Sequence, residues 1–386
     1  MEPREFQSKG VNVLKNAYRP FASFRDQFFM NRKYYLYVIT PLLVLSVALH
    51  FFCSVPHRVE RIYSGRVYPI ISRLLRSVFS FSPISVGDLL YGALVLLLMI
   101  GLFQFLKKLF SGRLNCRYWV VRFKWLLPGL LSVYLLFNGL WGVNYNRTGV
   151  AVQLALDTAR ISKEELVFLD SILLEKVKAT VSRSDFSAAW KAEVIFAEAT
   201  AAYRLAASRY SFLENDSPLV RSSLWGWLGD YAGFMGYYNP FTGEAQVNTR
   251  IPRFLIPYTT CHEIAHQLGY AKENEANFAG YLAASSSRDI RFRYSAYLDL
   301  FLYANADLFK NDSVLAKKRA ALLPDQAKQD IAEWRRYAVR QHNVLADVVD
   351  RVYALYLRRN RQPSGLKTYS EVTRLLIGYY RKTGNI

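Results

Sequence analysis

The sequence contains little cysteine and little histidine. Its three cysteines in 386 residues are too few for the disulfide framework of a small secreted domain. No internal repeat or low-complexity segment is present, so neither a solenoid nor a low-complexity tract is expected. Residues 1–33 also lack the short n-region and the cleavage site of a signal peptide. Only five histidines occur, and two of them fall within one five-residue motif.

Acidic residues are outnumbered by basic ones, 30 against 50, which gives a formal net charge of +20 at pH 7. Such an excess occurs in nucleic-acid-binding proteins. Here, however, many basic residues flank apolar runs, where the positive-inside rule places them. The distribution of charge therefore indicates a membrane protein, and we expect the lipid bilayer rather than nucleic acid as a partner.

Three long runs contain no formal charge and are long enough to cross a bilayer. They predict a transmembrane region over residues 34–143, with spans at about 34–52, 89–106 and 125–143. Between the first two spans, Ile70, Leu74 and Val78 recur at helical spacing. This recurrence predicts an amphipathic helix that lies at the membrane interface.

Three spans place the two ends of the chain on opposite sides of the membrane. The basic residues of the tail 1–33 and of the loop Lys107–Lys124 favour a cytoplasmic location for both segments. We therefore expect a cytoplasmic basic tail over 1–33 and an extracytoplasmic domain over 144–386, in the periplasm or its equivalent.

The domain after Asn144 is less apolar than the first part of the chain and shows amphipathic helical patterns. These patterns predict helices at about 162–180, 186–209, 289–310 and 325–358. Residues Thr242–Thr249 predict a short strand. The domain is therefore expected to be mainly helical, with very little sheet.

The motif His262-Glu263-x-x-His266 lies in this domain. Two histidines four residues apart project from one face of a helix, so both can present a ring nitrogen to one ion. This pattern is typical of zinc peptidases. Zinc lowers the pKa of a bound water from ~15.7 towards ~7, and Glu263 can take a proton from that water and pass it to the leaving amine. Gly269 follows, where it can end the helix and turn the chain.

Two glutamates behind the motif are candidates for the third metal ligand. Glu273 and Asn277 lie at i, i+4 on what we expect to be a second helix, so that Glu273 can bind the metal while Asn277 holds a ligand histidine from behind. Glu275 lies about 200° around the same helix and is the alternative. We prefer Glu273.

The segment E-N-E-A-N-F-A-G that begins at Glu273 resembles the E-x-x-A-[DN] element of gluzincin peptidases and the E-x-E-A-N-x-F-A pattern of the ImmA/IrrE-type metallopeptidases. In those families the first glutamate is the third zinc ligand, which the resemblance implies for Glu273. A wider resemblance combines the three spans with P-F-T-G-E-A-Q-V-N at 240–248, the motif segment and R-Y-S-A-Y-L at 293–298. Together these are similar to a family of bacterial three-span membrane proteins classed as zinc peptidases.

A mainly α fold is therefore expected, in which N-terminal transmembrane helices precede a mostly helical, zincin-like metallopeptidase domain with a short β element. The expected cofactor is Zn²⁺ bound by His262, His266 and Glu273, and the expected substrate is a peptide or protein. The resemblance implies a multi-pass protein of the bacterial inner (cytoplasmic) membrane, with its catalytic domain on the periplasmic or extracytoplasmic side.

Peptide hydrolysis also needs a donor for the oxyanion that develops on the substrate carbonyl. Tyr294, in R-Y-S-A-Y-L, is the first candidate, and Tyr238 and His342 are alternatives. Residues Gly243–Thr249 come just before the motif, where zinc peptidases commonly have an edge strand that pairs with extended substrate. Within this strand, Glu244 can bind a substrate amine or a neighbouring loop, or hold the turn.

The predicted function is peptide-bond hydrolysis by a membrane-anchored zinc peptidase with Glu263 as general base. The alternative is a non-catalytic membrane sensor or assembly protein with a structural metal site. The intact Glu263 favours the enzyme, because a structural site needs no general base and usually takes a fourth protein ligand. An intramembrane protease is disfavoured, since Lys272, Glu273 and Glu275 make the segment too polar to span a membrane.

Overall fold

The computed structural model describes residues 35–112, 114–181, 186, 191–215, 217–341, 343–359 and 369–386. The predicted basic tail 1–33 and the candidate His342 lie outside these residues. The described chain is almost entirely helical and contains one small three-stranded sheet. The predicted mainly α fold with a short β element is therefore confirmed.

The α-helices of the described residues are numbered in chain order. They are α1 Thr40–Cys53, α2 Pro56–Arg58, α3 Tyr68–Phe79, α4 Val86–Phe110, α5 Cys116–Leu140, α6 Val150–Gln153, α7 Lys163–Val181, α8 Ala192–Ala207, α9 Gly226–Ala232, α10 Ile256–Gln267, α11 Glu273–Ser286, α12 Ile290–Asn311, α13 Ser313–Ala321, α14 Asp325–Val339, α15 Val344–Arg359 and α16 Tyr369–Thr383. The strands are β1 Val220–Ser222, β2 Gly236–Asn239 and β3 Glu244–Val247. A π-helical segment at Val59–Val67 joins α2 to α3.

Three helical segments are long and apolar enough to cross a membrane, namely Leu36–Cys53, Val86–Phe110 and Arg122–Leu140. At most 11% of the most apolar part of each is buried within the protein. A helix that is apolar all round and not covered by protein is stable in lipid rather than in water. The chain is therefore membrane-associated, as its composition predicts. The third span ends at Leu140, three residues earlier than predicted.

The chain divides into two compact units. The first comprises residues 1–52 and 108–136 and contains α1 with most of α5; in it, Lys108 and Arg122 lie over the ring of Tyr118. The second comprises Cys53–Lys107 and Phe137–Ile386 and contains the sheet and the His-Glu-x-x-His motif.

The core of the second unit surrounds α10, in which every residue except His262 is buried. Helix α11 packs on α10 and also contacts α8 and α16, while α12 lies along α7. Large side chains such as Tyr203, Phe278 and Phe301 fill the interior. Because helices cover α10 on one side and the sheet covers it on another, its side chains are held in a dense, rigid environment.

The sheet has the strand order β1-β3-β2, so β3 is its central strand. Strand β3 runs parallel to β1 and antiparallel to β2. The prediction of a strand just before the motif is confirmed, but its predicted edge position is wrong. Both edges of β3 carry backbone hydrogen bonds from its neighbours, which leaves none for an extended substrate.

Glu244, on β3, holds the start of the second span. Its buried carboxylate accepts hydrogen bonds from the backbone N–H groups of Val86 at 3.0 Å and Gly87 at 2.5 Å, and from the Thr242 hydroxyl at 2.8 Å. A carboxylate at these positions satisfies free N–H groups of the first turn and complements the helix dipole. Glu244 therefore binds a neighbouring segment, and no exposed carboxylate remains for a substrate amine.

The predicted helix over 325–358 is two helices rather than one. Helix α14 ends at Val339 and α15 begins at Val344. Asn343 caps the second helix, since its side-chain oxygen accepts a hydrogen bond from the Ala346 N–H at 3.0 Å. A short polar side chain at this position favours a new helix start over a continuous helix.

A buried carboxylate in the helical core gives a test of stability against pH. Burial raises the pKa of Asp170 to about 6, and its Oδ2 accepts one hydrogen bond, from Asn305, while Oδ1 has no partner among the described residues. Because the folded pKa exceeds the unfolded value of 3.8, ionisation costs stability as the pH rises from 4 through about 6. The penalty is then constant at higher pH.

We therefore expect Asp170→Asn to change the free energy of unfolding in the stabilising direction by about 2 kcal/mol more at pH 8 than at pH 4.5. Thermal unfolding of the full chain in detergent at the two pH values measures this difference. The comparison isolates the charge, because the altered hydrogen bonding contributes equally at both. A variant whose effect on the melting temperature is the same at both pH values would contradict the assignment.

Candidate metal centre

The two histidines of the motif face each other on α10. His262 and His266 are one turn apart, and their ring centroids lie 4.7 Å from each other at an interplanar angle of 86°. The helix begins with Pro257 in its first turn, where the missing N–H costs nothing. His262 is partly exposed and His266 is buried. The i, i+4 spacing thus brings the two imidazoles together as expected.

A tight turn brings α11 back against α10. The turn passes through Gly269, whose φ of 85° lies in the left-handed region that favours glycine. Further along α11, Gly280 lets the helices approach closely, since a Cβ there would lie 3.0 Å from the backbone nitrogen of His262. The first residue of α11 is Glu273, so this turn directs its side chain at the two histidines.

Glu273 completes a cluster of three possible metal-binding side chains. Its Oε2 lies 3.2 Å from Nε2 of His262, and its Oε1 lies 3.6 Å from Nε2 of His266. One donor atom from each of the three residues lies within 4.8 Å of the others. Two imidazole nitrogens and one carboxylate oxygen at this separation can surround a single zinc ion.

The far nitrogens of both rings are held by the protein. Nδ1 of His266 lies 2.7 Å from the backbone carbonyl oxygen of Tyr270, and Nδ1 of His262 lies 2.7 Å from Oδ1 of Asn277. A carbonyl oxygen can only accept, so Nδ1 of His266 carries a proton, and Nε2 is the ring nitrogen that faces Glu273 and could bind a metal. The Asn277 amide oxygen holds Nδ1 of His262, so that its Nε2 also faces Glu273.

The electrostatics of the cluster keep Glu273 ionised. Burial alone would raise its pKa, but the charge of His266 and the hydrogen bonds from His262 and His266 hold the pKa of Glu273 well below its usual range. The hydroxyl of Tyr353, on α15, also donates to Glu273 Oε1 at 2.6 Å. The carboxylate is therefore available as an anionic ligand at neutral pH.

Glu263 lies beside the cluster in a different environment. Its side chain is 4% exposed, and its Oε2 has no hydrogen-bond partner among the described residues. Burial raises the pKa of Glu263 to about 8, with a lowering contribution from His262 and a raising one from Glu273. A buried carboxylate that lacks a partner costs stability. Its presence beside three donors that could hold a metal ion therefore fits a chemical role better than a structural one.

Strand β2 fixes the position of Glu263. A Cβ on Gly236, the first residue of β2, would lie 2.5 Å from Glu263 Oε1 and 2.9 Å from the carbonyl oxygen of Gln246. Real Cβ contacts of this length do not occur, so an added methyl group must displace the carboxylate or the strand. The glycine is therefore needed for the close approach of the strand to the carboxylate.

Gly236→Ala is accordingly expected to lower any activity that depends on Glu263 by about 100-fold, the effect of roughly 1 Å of misplacement. Any zinc held by the three donors should be retained, because the atoms nearest to a Cβ on Gly236 belong to Glu263 and Gln246 and not to those donors. Gly139→Ala is the matched control, since no described atom lies within 4 Å of a Cβ at that position. Loss of zinc from the Gly236 variant, or unchanged activity, would contradict this role for the glycine.

The rival glutamate lies elsewhere. The Glu275 carboxylate is buried and accepts from Lys272 Nζ at 3.1 Å. Burial lowers the pKa of Arg147, but Tyr270, Glu60 and then the charge of Glu275 together raise it above its usual value. The structure thus brings Glu273, and not Glu275, to the two histidines.

The tyrosines predicted as oxyanion donors are engaged in other contacts. Tyr294 is fully buried on α12, and its hydroxyl donates to Asp330 on α14. The Tyr238 hydroxyl lies 3.3 Å from that of Tyr68. Neither contact reaches the cluster, so the catalytic role of Tyr294 stays a prediction. Tyr353 is the tyrosine whose hydroxyl the structure places on a cluster residue; no local pattern relates it to Glu273, eighty residues earlier.

The cluster is also tied to the end of the third span. Trp141 follows α5 directly, and its indole N–H donates to the backbone oxygen of His266 at 3.1 Å. Its ring lies 6.1 Å from the His266 ring and 5.4 Å from that of Tyr238. Trp141 is 6% exposed and belongs to the wall of the site.

Comparison with known proteins gives one match. A family model described as "Protein of unknown function (DUF3810)" matches residues 63–377. This range contains the second and third spans, the three clustered donors and Glu263. No curated protein and no solved structure matches the chain. The likeness to zinc peptidases that the motifs indicate therefore stays a prediction.

Proposed function

The chain belongs to the DUF3810 family of proteins of unknown function, and from this starting point we propose that it is a membrane-anchored, zinc-dependent peptidase. One observation carries the proposal. A buried carboxylate whose Oε2 has no hydrogen-bond partner among the described residues, that of Glu263, lies beside the three clustered donors, and the two histidines among them are held from behind. Such an arrangement combines a metal site with a base that no structural role explains.

The donor set fits zinc. Zinc binds imidazole nitrogen and carboxylate oxygen, and catalytic sites use three protein ligands with one open position, whereas structural sites use four. The cluster in the described residues has three members, His262, His266 and Glu273. A catalytic site therefore accounts for this donor set better than a structural one.

The residues of the site have distinct roles in the proposed reaction. When bound, zinc lowers the pKa of a water ligand and polarises the substrate carbonyl. Glu263 accepts the proton of the attacking water and delivers it to the leaving amine. Burial and the charge of Glu273 raise the pKa of Tyr353, so its hydroxyl stays protonated. Its single O–H donates to Glu273 in the structure and would have to turn from that carboxylate to donate to the oxyanion.

Strand β2 is the best-placed element to hold an extended substrate. It pairs with β3 along one edge, and among the described residues no strand pairs with its other edge. Its first residue, Gly236, lies against Glu263. A peptide that adds to this edge through main-chain hydrogen bonds would pass close to the base. The domain over residues 144–386 works outside the cytoplasm in this proposal.

The test uses the full chain purified in detergent. We expect about one zinc per chain by elemental analysis, as three protein donors predict, and cleavage of members of a random peptide library by mass spectrometry. Chelation should abolish the cleavage and added zinc should restore it. Zinc without cleavage would favour the non-catalytic alternative, and cleavage that resists chelation would overturn the metal mechanism.

A further inference from the structure

Helix α15 is apolar on two opposite faces. Its inner face holds Ala346 and Leu357, which are buried, and Tyr353, which contacts Glu273. Its outer face is formed by four exposed apolar side chains, Val344 at 80%, Val348 at 50%, Val352 at 63% and Leu355 at 50%. At about 100° per residue these four form a stripe roughly 80° wide on the side opposite Tyr353. A helix with this pattern is not a typical solvent-facing helix.

The neighbour of α15 lies against a membrane span. Helix α9 contacts α15, and the Asn343 side chain donates to the backbone oxygen of Tyr231 on α9 at 2.9 Å. Just before α9, the Trp225 indole donates to the Asp88 backbone oxygen, and a Cβ on Gly92 would lie 3.1 Å from the Trp225 ring. Both Asp88 and Gly92 belong to α4. Trp225 therefore packs on the first turns of the second span.

These first turns mark one edge of the bilayer. The exposed apolar side chains of α4 begin at Leu89 and Leu90, so the hydrocarbon region begins near them. Trp225 lies at this level, which is the usual position of interfacial tryptophan. Trp227 and Tyr231 on α9 extend the same surface and are 51% and 57% exposed.

A second contact places α15 at the same edge. Tyr356 of α15 packs edge-to-face on Phe137, with ring centroids 6.5 Å apart. Phe137 lies three residues before the end of the third span at Leu140. At 1.5 Å per residue, this contact is about 5 Å from the end of the span. The residue after Leu140 is Trp141, whose indole N–H donates to the backbone oxygen of His266. His266 therefore lies close to the same end of the span.

We infer that α15 docks on the lipid bilayer through its outer face, and that the metal centre therefore acts on polypeptides anchored in the same membrane, close to their anchors. Its contact with Phe137 of the third span, and its contact with α9, which Trp225 joins to the second span, make α15 continuous with the surface that is already in lipid. Arg351 and Arg358, both exposed, flank the apolar stripe, where they can reach lipid phosphates while their stems stay apolar. The substrate class rests on the proposed peptidase function; the docking of α15 does not.

Spin labelling in phospholipid vesicles tests the docking. The full chain, with Cys53 and Cys116 replaced by serine, carries a nitroxide on Val348→Cys or, as the matched control, on Asp350→Cys, which is exposed on another side of α15. We expect the ratio of collisions with oxygen to collisions with a water-soluble nickel chelate to be about threefold or more higher at 348, as for an apolar face buried ~5–10 Å in the interface. Equal ratios, or a label at 348 shielded from both reagents by protein, would overturn the inference.

Cleavage of one peptide in two forms tests the substrate class. A sequence cleaved from the random library is presented free or with a palmitoyl chain in the same vesicles. The anchored form should be cleaved about 100-fold faster through its higher effective concentration. Val348→Glu combined with Val352→Glu should remove this advantage and leave cleavage of the free peptide unchanged, whereas Val348→Ala should keep it. Equal cleavage of both forms overturns the substrate class; no cleavage of either, with lipid contact at 348, refutes the peptidase and leaves the docking established.

Discussion

Replacing Glu263 by glutamine is expected to lower peptidase activity by roughly 10²–10⁴-fold, the usual contribution of a general base. The amide has the shape of the carboxylate but cannot accept the proton of the attacking water. Because the carboxylate has no hydrogen-bond partner at Oε2, the substitution breaks no hydrogen bond at that atom, and it removes a buried charge. The folded structure and the zinc content should therefore not change. Turnover of a library-derived peptide, with zinc measured on the same sample, provides the comparison.

The zinc measurement is the control that separates loss of proton transfer from loss of the metal. A variant that loses both zinc and activity would show that Glu263 supports the metal rather than the proton transfer. A variant with full activity and full zinc would remove Glu263 from the mechanism. The thermal unfolding temperature provides a second control, since a misfolded variant would lose activity for an unrelated reason.

Replacing Glu273 by glutamine is expected to weaken zinc binding by more than about 100-fold, beyond the 10–100-fold effect of residues that hold a ligand from behind. The negative charge of Glu273 lies 3.2 Å and 3.6 Å from the Nε2 atoms of the two histidines. Its loss removes both a ligand oxygen and the anion that offsets the charge of the metal. Competition with a chelator of known affinity measures the change.

Glu275→Gln is the matched control, because Glu275 is also buried and lies on the same helix, and the substitution exchanges the same atoms. Its carboxylate bonds to Lys272 rather than to the histidines, so the variant should keep its zinc affinity within a few-fold while losing some stability. The opposite outcome, in which the Glu275 variant loses zinc and the Glu273 variant keeps it, would show that the metal draws a different glutamate into the site.

The site is joined to the membrane spans by hydrogen bonds that the motif alone does not predict. Trp141 connects the third span to His266, and Glu244 connects the sheet to the start of the second span. One connection is made to α10, which carries the two histidines, and the other is made to β3, which packs on α10. The spans are therefore part of the framework that holds the cluster. A fragment without them would remove the hydrogen bonds that Val86 and Gly87 donate to the Glu244 carboxylate and leave it the bond from Thr242.

Local patterns were sufficient for the elements that depend on neighbours in sequence. The uncharged runs indicate the spans because bilayer thickness sets their length. The i, i+4 histidines and the glycine at 269 indicate a helix that ends in a tight turn, and the structure has both. The i, i+4 spacing of Glu273 and Asn277 likewise places both side chains on one face of α11. Each of these is decided over a few residues, which is the range that helical periodicity reports.

Strand order and the surroundings of the base depended on contacts that are distant in sequence. The residues of β3 fit an edge strand and a central strand equally well. Only the pairing of β3 with both β1 and β2 makes it the central strand. Similarly, no pattern distinguishes Tyr294, which is bonded to Asp330, from Tyr353, which is bonded to Glu273. The sequence pattern of a tyrosine in an amphipathic helix does not depend on which residue its hydroxyl contacts in the folded protein.

By itself, the sequence determined that the chain enters a membrane, that its remaining domain is helical, and that two histidines and a glutamate lie on one helix. These features follow from periodicity, charge and bilayer thickness, all of which act locally. The tertiary structure alone decided that Glu273 rather than Glu275 reaches the histidines, and that α15 carries Tyr353 to the cluster while exposing an apolar face. It also decided that Glu263 lies against Gly236 with no hydrogen-bond partner at Oε2 among the described residues. Those outcomes depend on how helices pack across the core, where side chains far apart in sequence become neighbours.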